Sequence, residues 1–134
     1  MIIDTSALLA ILQDEPERRM FNEAMEMADS RRVSAATFVE ASIVIESRFG
    51  AEGLRALDRF LERGDIEVMP VDVEQARYAR EAFMRFGKGR HPAGLNFGDC
   101  FSYALAKVLS EPLLFKGDDF ALTDALRIDT NGLS

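Results

Sequence analysis

Acidic side chains stand at positions where a parallel α/β sheet would bring them together. One acid ends the first apolar run, two lie in the first turns of predicted helices, and two follow the last apolar run. These residues are Asp4, Glu40, Asp99, Asp118 and Asp119. Right-handed crossovers place the carboxyl ends of parallel strands at one edge of a sheet, where open α/β sheets bind ligands. We therefore expect these carboxylates to converge.

Carboxylates that converge repel one another strongly unless a cation lies between them, so the arrangement predicts a metal site. Ligands that are all oxygen suit Mg²⁺ or Mn²⁺ rather than zinc or copper. One or two such ions could lower the pKa of a bound water and hold a phosphodiester for in-line attack. This chemistry requires no histidine, cysteine or serine nucleophile.

Each acid also has a structural interpretation. Thr37 and Glu40 have the spacing of a capping box, and so do Asn96 and Asp99. The helix dipole favours an acid in the first turn whatever its function. Glu40, however, introduces a helix that is mainly apolar, where a lone carboxylate is costly to bury. Its apolar residues are Phe38, Val39, Ala41, Ile43, Val44 and Ile45. Taken together, the acids favour a metal site over coincidence.

The hydrophobic pattern predicts short apolar strands that alternate with amphipathic helices. Glycines end several of these helices, and Gly50 separates two of them. The predicted strands cover residues 1–3, 32–35, 66–69 and 113–115, with a short edge strand at 127–129. The predicted helices cover residues 5–12, 16–28, 37–49, 51–63, 72–87 and 97–109, and residues 87–98 form a loop. This order indicates an α/β fold with three layers, α/β/α, around a central parallel sheet of four to five strands.

Length and composition limit the possible functions. The 134 residues are enough for a single domain, 1–134, with a substantial core. One cysteine (Cys100) and one histidine (His91) exclude an intrachain disulfide and a zinc site made of Cys and His alone. No apolar run is long enough to cross a membrane, and the N-terminus has no basic signal-peptide region, so we expect a cytoplasmic protein. We expect Cys100 to be buried and His91 to lie on the surface.

The chain carries a formal charge of −7, yet it has one locally basic segment. The global charge argues against a protein that coats nucleic acid by neutralising phosphates. The basic segment contains a single acid, Glu81, among Arg77, Arg80, Arg85, Lys88 and Arg90. It could follow a nucleic-acid backbone, or it could be an ordinary solvated helix face.

A few further residues have two interpretations. Thr5 and Ser6 could order a metal-bound water, although capping of the first helix explains them fully. Lys116 could neutralise a phosphate next to the acids or be an exposed lysine after a strand. Phe97 and Phe101 have helical spacing, which favours burial in the core over stacking on bases.

Four sequence blocks are similar to the signature blocks of PIN-domain ribonucleases, and more narrowly to VapC toxins of VapBC toxin–antitoxin pairs. The resemblance extends from Ile2 to about Thr123. The blocks are Met1-Ile2-Ile3-Asp4-Thr5-Ser6-Ala7-Leu8, the helix that carries Glu40, residues 95–106 and residues 113–120.

The resemblance implies a Mg²⁺-dependent endoribonuclease, with Mn²⁺ also accepted, that hydrolyses RNA phosphodiester bonds with metal-activated water. It also implies a homodimer that a cognate VapB-like antitoxin silences by placing a basic side chain in the acidic pocket. Asp4 and Asp99 match the principal metal ligands of the family, and Glu40 matches its helical acid. The family pattern Gly-x-Asp-Phe selects Asp119 as the fourth acid, whereas counting from the strand end selects Asp118.

Two other functions are compatible with an acidic sheet edge. The chain could be a binding module that captures a basic segment of a partner in its acidic pocket without turnover. A phosphatase is less favoured, because such an enzyme would need a second acid two residues after its aspartate nucleophile. Ser6 occupies that position after Asp4.

Overall fold

In a computed structural model of the chain, residues 1–130 are described. The strands are β1 (Ile2–Ile3), β2 (Arg31–Ser34), β3 (Ile66–Met69) and β4 (Leu113–Leu114). The helices are α1 (Thr5–Leu12), α2 (Arg18–Met27), α3 (Ala35–Arg63), α4 (Val73–Phe86) and α5 (Phe97–Leu109), and a 3₁₀ turn covers Phe120–Leu122.

The four strands form one parallel sheet in the order β3-β2-β1-β4. Ile2 and Ile3 of the central strand β1 pair with Leu113 and Leu114 of β4. The prediction of an edge strand at 127–129 is wrong. Of these residues, Arg127 alone pairs with the sheet, through one isolated parallel bridge to Leu113. Since all four strands run the same way, their carboxyl ends share one edge.

Two hydrophobic clusters cover the two faces of the sheet. Ile3 and Leu114 point toward the cluster beneath α1, α2 and the second half of α3. Ile2 and Leu113 point toward the cluster formed with α4 and α5. Successive residues of a strand point to opposite faces, so two-residue strands already contribute to both cores. The three-layer α/β/α architecture predicted from the pattern is confirmed.

The long helix α3 changes direction at Gly50, whose backbone has φ 65° and ψ −155°. Glycine tolerates this conformation because it has no Cβ, and the predicted break between two helices is thereby confirmed. The start of α3 differs from the prediction. Ser34 is its N-cap and accepts a hydrogen bond from the amide of Ala36, so Thr37 is not a cap and Glu40 lies in the second turn.

Caps at other helices agree with the sequence in part. Asp72 caps α4, and Asn96 and Asp99 form the reciprocal capping box predicted at the start of α5. The N-cap of α1 is Asp4 rather than Thr5 or Ser6.

Residues 87–95 form a closed loop ahead of α5. The amide of Lys88 donates to the carbonyl of Leu95, and the amide of Leu95 donates to the carbonyl of Phe86, each at 2.9 Å. Ala93 and Leu95 are buried, so the predicted loop is anchored in the core and holds the first turn of α5 in place. Within residues 1–130, no helix combines the length and the apolar character needed to span a bilayer.

We predict that Gly53→Ala destabilises the packing between the two halves of α3, on either side of the bend at Gly50. An added Cβ at this position would lie 2.8 Å from both Ile45 Cγ2 and Phe49 Cβ, and the Phe49 atom cannot move without its backbone. The free energy of unfolding should fall by about 1–3 kcal/mol, as measured by urea denaturation. Ser47→Ala, an exposed position on the same helix, should change it by less than about 0.5 kcal/mol. Equal stabilities of the two variants would contradict this packing.

Candidate metal centre

Asp4 lies at the carboxyl end of β1 and is only 2% exposed. Its Oδ2 accepts hydrogen bonds from the amide of Ser6 at 3.0 Å and from the Ser6 hydroxyl at 2.7 Å. Its Oδ1 accepts one from the hydroxyl of Ser102 at 2.6 Å. These neutral donors stabilise the ionised carboxylate without cancelling its charge.

The hydrogen bonds around Asp4 join four parts of the fold. Ser102, on α5, lies 3.1 Å from the hydroxyl of Thr37 on α3, and both residues are buried. On the other side, the Ser6 hydroxyl of α1 accepts a hydrogen bond from the amide of Lys116, just beyond β4. The carboxylate therefore sits at the centre of a network that fixes these elements relative to one another.

Asp99 lies in the first turn of α5, half-buried beside the other acids. Burial raises the pKa of Asp99 to about 7, while the hydrogen bond from the amide of Asn96 opposes that rise. The negative charges of Asp4, Asp119 and Glu40 raise the pKa further. Asp99 thus interacts electrostatically with acids from three other parts of the sequence.

Glu40 reaches this edge from the second turn of α3. The hydroxyl of Thr5 donates a hydrogen bond to its Oε1 at 2.5 Å. Its carboxylate lies against the backbone of Gly98, where an added Cβ would be 2.1 Å from Oε2. Gly98 is thus the residue that lets the carboxylate of Glu40 approach the first turn of α5, beside Asp99.

Asp118 and Asp119 have different surroundings. Asp119 precedes the 3₁₀ turn without a side-chain bond to it, and its charge raises the pKa of Asp99. Asp118 lines a cleft of about 360 Å³ beside β4, together with Glu17 and Arg127. The charge of Asp119 therefore contributes to the acidic edge, whereas Asp118 lies along the cleft beside β4.

The donor set fits a hard divalent cation. Over residues 1–130, Lys and Arg side chains form no ion pair with Asp4, Glu40, Asp99 or Asp119. In the same range, no group of three or more acidic, histidine or cysteine side chains is arranged so that it could hold a metal ion by itself. Mg²⁺ keeps several waters and needs only one or two carboxylates, so a closed cage is not required. The uncompensated negative charge and the oxygen ligands suit Mg²⁺ or Mn²⁺.

Several of the basic residues have partners of their own. Lys116 forms ion pairs with Glu15 and Glu17, so it is engaged by the segment between α1 and α2. The basic side chains of the segment 77–90 are exposed. Two have further partners: Arg85 lies 3.8 Å from Asp124, and Arg90 stacks over the ring of Phe83 at 5.6 Å.

Some expectations about individual residues were wrong. Phe97 is 78% exposed rather than in the core, and its ring contacts the half-buried Phe101 edge-on at 4.9 Å. Thr5 and Ser6 do not cap α1 but donate hydrogen bonds to Glu40 and Asp4.

Cys100 is buried as expected, and burial raises the pKa of its thiol to about 11. His91 is half-buried, with Nδ1 accepting from the amide of Ala93.

Sequence reasoning missed Ser102, Gly98 and the bridging role of Thr37. One signal was available for Ser102, because a hydroxyl within the apolar run of α5 needs a buried partner. The partner itself is 98 residues away in sequence, so the contact depends on the fold.

Comparisons with known proteins agree on one family. The PIN domain model matches residues 1–126. A protein named Ribonuclease VapC, from Mycolicibacterium smegmatis, is 55% identical over 128 residues, covering 96% of this chain and 99% of that protein. Ribonuclease VapC30 of Mycobacterium tuberculosis is 52% identical over 124 residues, covering 92% of this chain and 95% of the relative.

Solved structures share the fold at lower identity. The crystal structure of Mycobacterium tuberculosis VapC20, described as a Sarcin-Ricin loop cleaving toxin, has a TM-score of 0.76 at 15% identity and covers 95% of this chain and 97% of its own. A toxin-antitoxin complex from Klebsiella pneumoniae has a TM-score of 0.68 at 17% identity, covering 95% of both chains. These structures show the shared fold, and the family model with the curated relatives confirms the resemblance drawn from the sequence motifs.

We predict that Asp99 makes the metal-free protein less stable as pH rises. Its folded pKa of about 7 lies above the unfolded value, so the folded state binds more protons between these values. Stability in EDTA should therefore fall as pH increases from about 4 to 7. Asp99→Asn keeps a capping oxygen and should remove this slope, gaining about 1–2 kcal/mol at neutral pH, less than the full linkage value because solvent screens a half-buried group. Urea denaturation across this pH range measures both effects, and parallel curves for the two proteins would contradict the prediction.

Proposed function

Because this chain belongs to the PIN-domain family, we propose that it is a VapC-type endoribonuclease toxin. In this proposal it hydrolyses RNA phosphodiester bonds with Mg²⁺ or Mn²⁺ in the cytoplasm. The observation that carries the proposal is the set of acids at the carboxyl edge of the sheet that form no ion pair with Lys or Arg among the described residues, 1–130. Each acid raises the cost of ionising Asp99, and a bound cation would reverse that cost.

Asp4 and Asp99 are the residues that would hold the metal, with Glu40 and Asp119 completing the acidic site. Bound Mg²⁺ supplies positive charge to the phosphodiester and the means of ionising water near neutral pH. The remaining contribution comes from the protein. The hydrogen bonds from Ser6 and Ser102 fix the orientation of the Asp4 carboxylate.

Glu40 has a second role in this proposal. The hydroxyl of Thr5 and the backbone at Gly98 fix its carboxylate from two sides. A carboxylate held in this way can accept a proton or orient a water beside the scissile phosphate, provided the geometry brings them within hydrogen-bond reach.

The exposed basic side chains of the segment 77–90 supply the surface for the RNA backbone. Arg77, Arg80 and Lys88 have no ion pair in residues 1–130 and remain available to phosphates. Because the net charge is −7, binding should depend on this local patch and weaken as salt increases.

A cognate antitoxin is the proposed protein partner, since a homologous fold occurs in a toxin-antitoxin complex. The acidic edge would attract a basic side chain of that antitoxin, in competition with the metal. We also propose a homodimer, supported by exposed apolar side chains such as Val39 and Ile43 on one face of α3.

We predict that cleavage of RNA depends on the metal and on Asp99. Purified protein should degrade total cellular RNA in Mg²⁺ and lose this activity in EDTA. Asp99→Asn should reduce the cleavage rate by about 100-fold or more, because a principal ligand becomes a weaker neutral donor. Asp58→Asn, an exposed acid on the second half of α3, is the matched control and should retain activity. Undiminished cleavage by pure Asp99→Asn, or cleavage that persists in EDTA, would contradict the proposal.

We predict that the neighbouring acids differ in their effect on activity. Asp119→Asn should lower Mg²⁺-dependent cleavage by about tenfold or more, because Asp119 interacts electrostatically with Asp99. Asp118→Asn should change it by less than about twofold. Comparing the two rates over a range of Mg²⁺ concentrations tests the assignment, and a larger loss for Asp118→Asn would reverse it.

A further inference from the structure

The position of Asp119 depends on how its chain segment is attached to the rest of the fold. Its side chain makes no cap bond to the 3₁₀ turn that follows it. The segment between Lys116 and Asp124 also contains Gly117, whose φ of 97° allows a sharp turn. The position of the acid therefore depends on the contacts that its neighbours in this segment make with the rest of the fold.

The first attachment is at the beginning of the segment. The amide of Lys116 donates to the Ser6 hydroxyl, which itself donates to Asp4. Directly after Asp119, the ring of Phe120 is buried against Phe115, with ring centres 5.2 Å apart.

The second attachment is a polar clasp formed by Asp124, Tyr103 and Lys107. The Tyr103 hydroxyl donates to Asp124 Oδ1 at 2.5 Å, and Lys107 Nζ donates to Asp124 Oδ2 at 3.0 Å. Burial and the bond to Asp124 raise the pKa of Tyr103, so its hydroxyl remains a donor. Partial burial of Asp124 opposes its ionisation, yet the bonds from Tyr103 and Lys107 hold its pKa below the usual range.

The clasp and the metal centre share one helix face. Asp99, Tyr103 and Lys107 follow one another at four-residue intervals along α5, and residues at this spacing line the same side of a helix. The helix that carries Asp99 therefore also holds, from the next two turns, the end of the segment that carries Asp119.

We propose that the clasp of Tyr103, Lys107 and Asp124 is a positioning unit that sets the carboxylate of Asp119 relative to Asp99. The inference rests on the proposed metal centre and concerns residues outside the set of acids proposed to hold the metal. A purely structural clasp would stabilise the segment without affecting affinity for the cation. The two roles can be separated by experiment.

The first test measures Mn²⁺ binding by isothermal titration calorimetry, without RNA. Tyr103→Phe removes only the hydroxyl, and it should raise the Kd for Mn²⁺ by about tenfold, as for other residues that orient metal ligands. Tyr78→Phe makes the same change at the chain's other tyrosine, on α4, and should leave the Kd unchanged. Hydrogen–deuterium exchange of the amides in segment 118–123 should be faster in Tyr103→Phe only.

The second test asks whether the effect passes through Asp119. In an Asp119→Asn background, Tyr103→Phe should cause no further loss of Mn²⁺ affinity, because residues acting as one unit are not additive. Additive losses, or faster exchange with an unchanged Kd, would overturn the positioning role. Because neither measurement uses RNA, Mn²⁺ binding that responds to the clasp without any RNA cleavage would contradict the proposed function alone.

Discussion

The central constraint on this protein is that carboxyl groups share a partly buried site and, within residues 1–130, form no ion pair with a Lys or Arg side chain. The fold meets it at Asp4 with hydroxyl and amide donors from Ser6 and Ser102. Such donors stabilise a charge without neutralising it. A lysine in their place would hold Asp4 equally well but would cancel the negative potential that attracts a divalent cation. Neutral donors therefore leave the negative potential of this edge intact, as the proposed metal site requires.

This constraint explains several features of the architecture. A parallel sheet brings the end of β1, the start of α3, the start of α5 and the end of β4 to one edge, and each supplies an acid or a donor. The strands can be short because Ile2 and Ile3 anchor β1 in the two hydrophobic clusters on opposite faces of the sheet. The buried link between Thr37 and Ser102 then joins α3 to α5 below the carboxylates. Packing and polar contacts therefore locate the same few side chains.

The sequence predicted this arrangement as far as local signals extend. Apolar runs located the strands and hence the acids that follow them, Gly50 marked the bend in α3, and the box of Asn96 and Asp99 marked the start of α5. Prediction was wrong where two residues could play one local role: Ser34 and Thr37 are both good caps, and tertiary contact draws Thr37 to Ser102 instead. Contacts such as Ser102 with Asp4 join residues distant in sequence, so no local pattern contains them. Exposure of Phe97 likewise depends on what packs above it rather than on helical spacing.

Helix α5 carries one of the acids and also contacts two other parts of the chain. Asp99 lies in its first turn, Ser102 donates to Asp4, and Tyr103 holds Asp124. A rigid helix fixes the spacing of such groups more closely than a loop can, since its backbone hydrogen bonds resist local distortion. Burial, together with repulsion from the neighbouring acids, disfavours the ionised state of Asp99 in the metal-free protein, whereas the buried apolar side of the same helix favours folding. The buried residues of α5, such as Cys100, Ala104 and Leu105, keep the helix in place. The helix can therefore present Asp99 to a cation although the neighbouring acids repel one another.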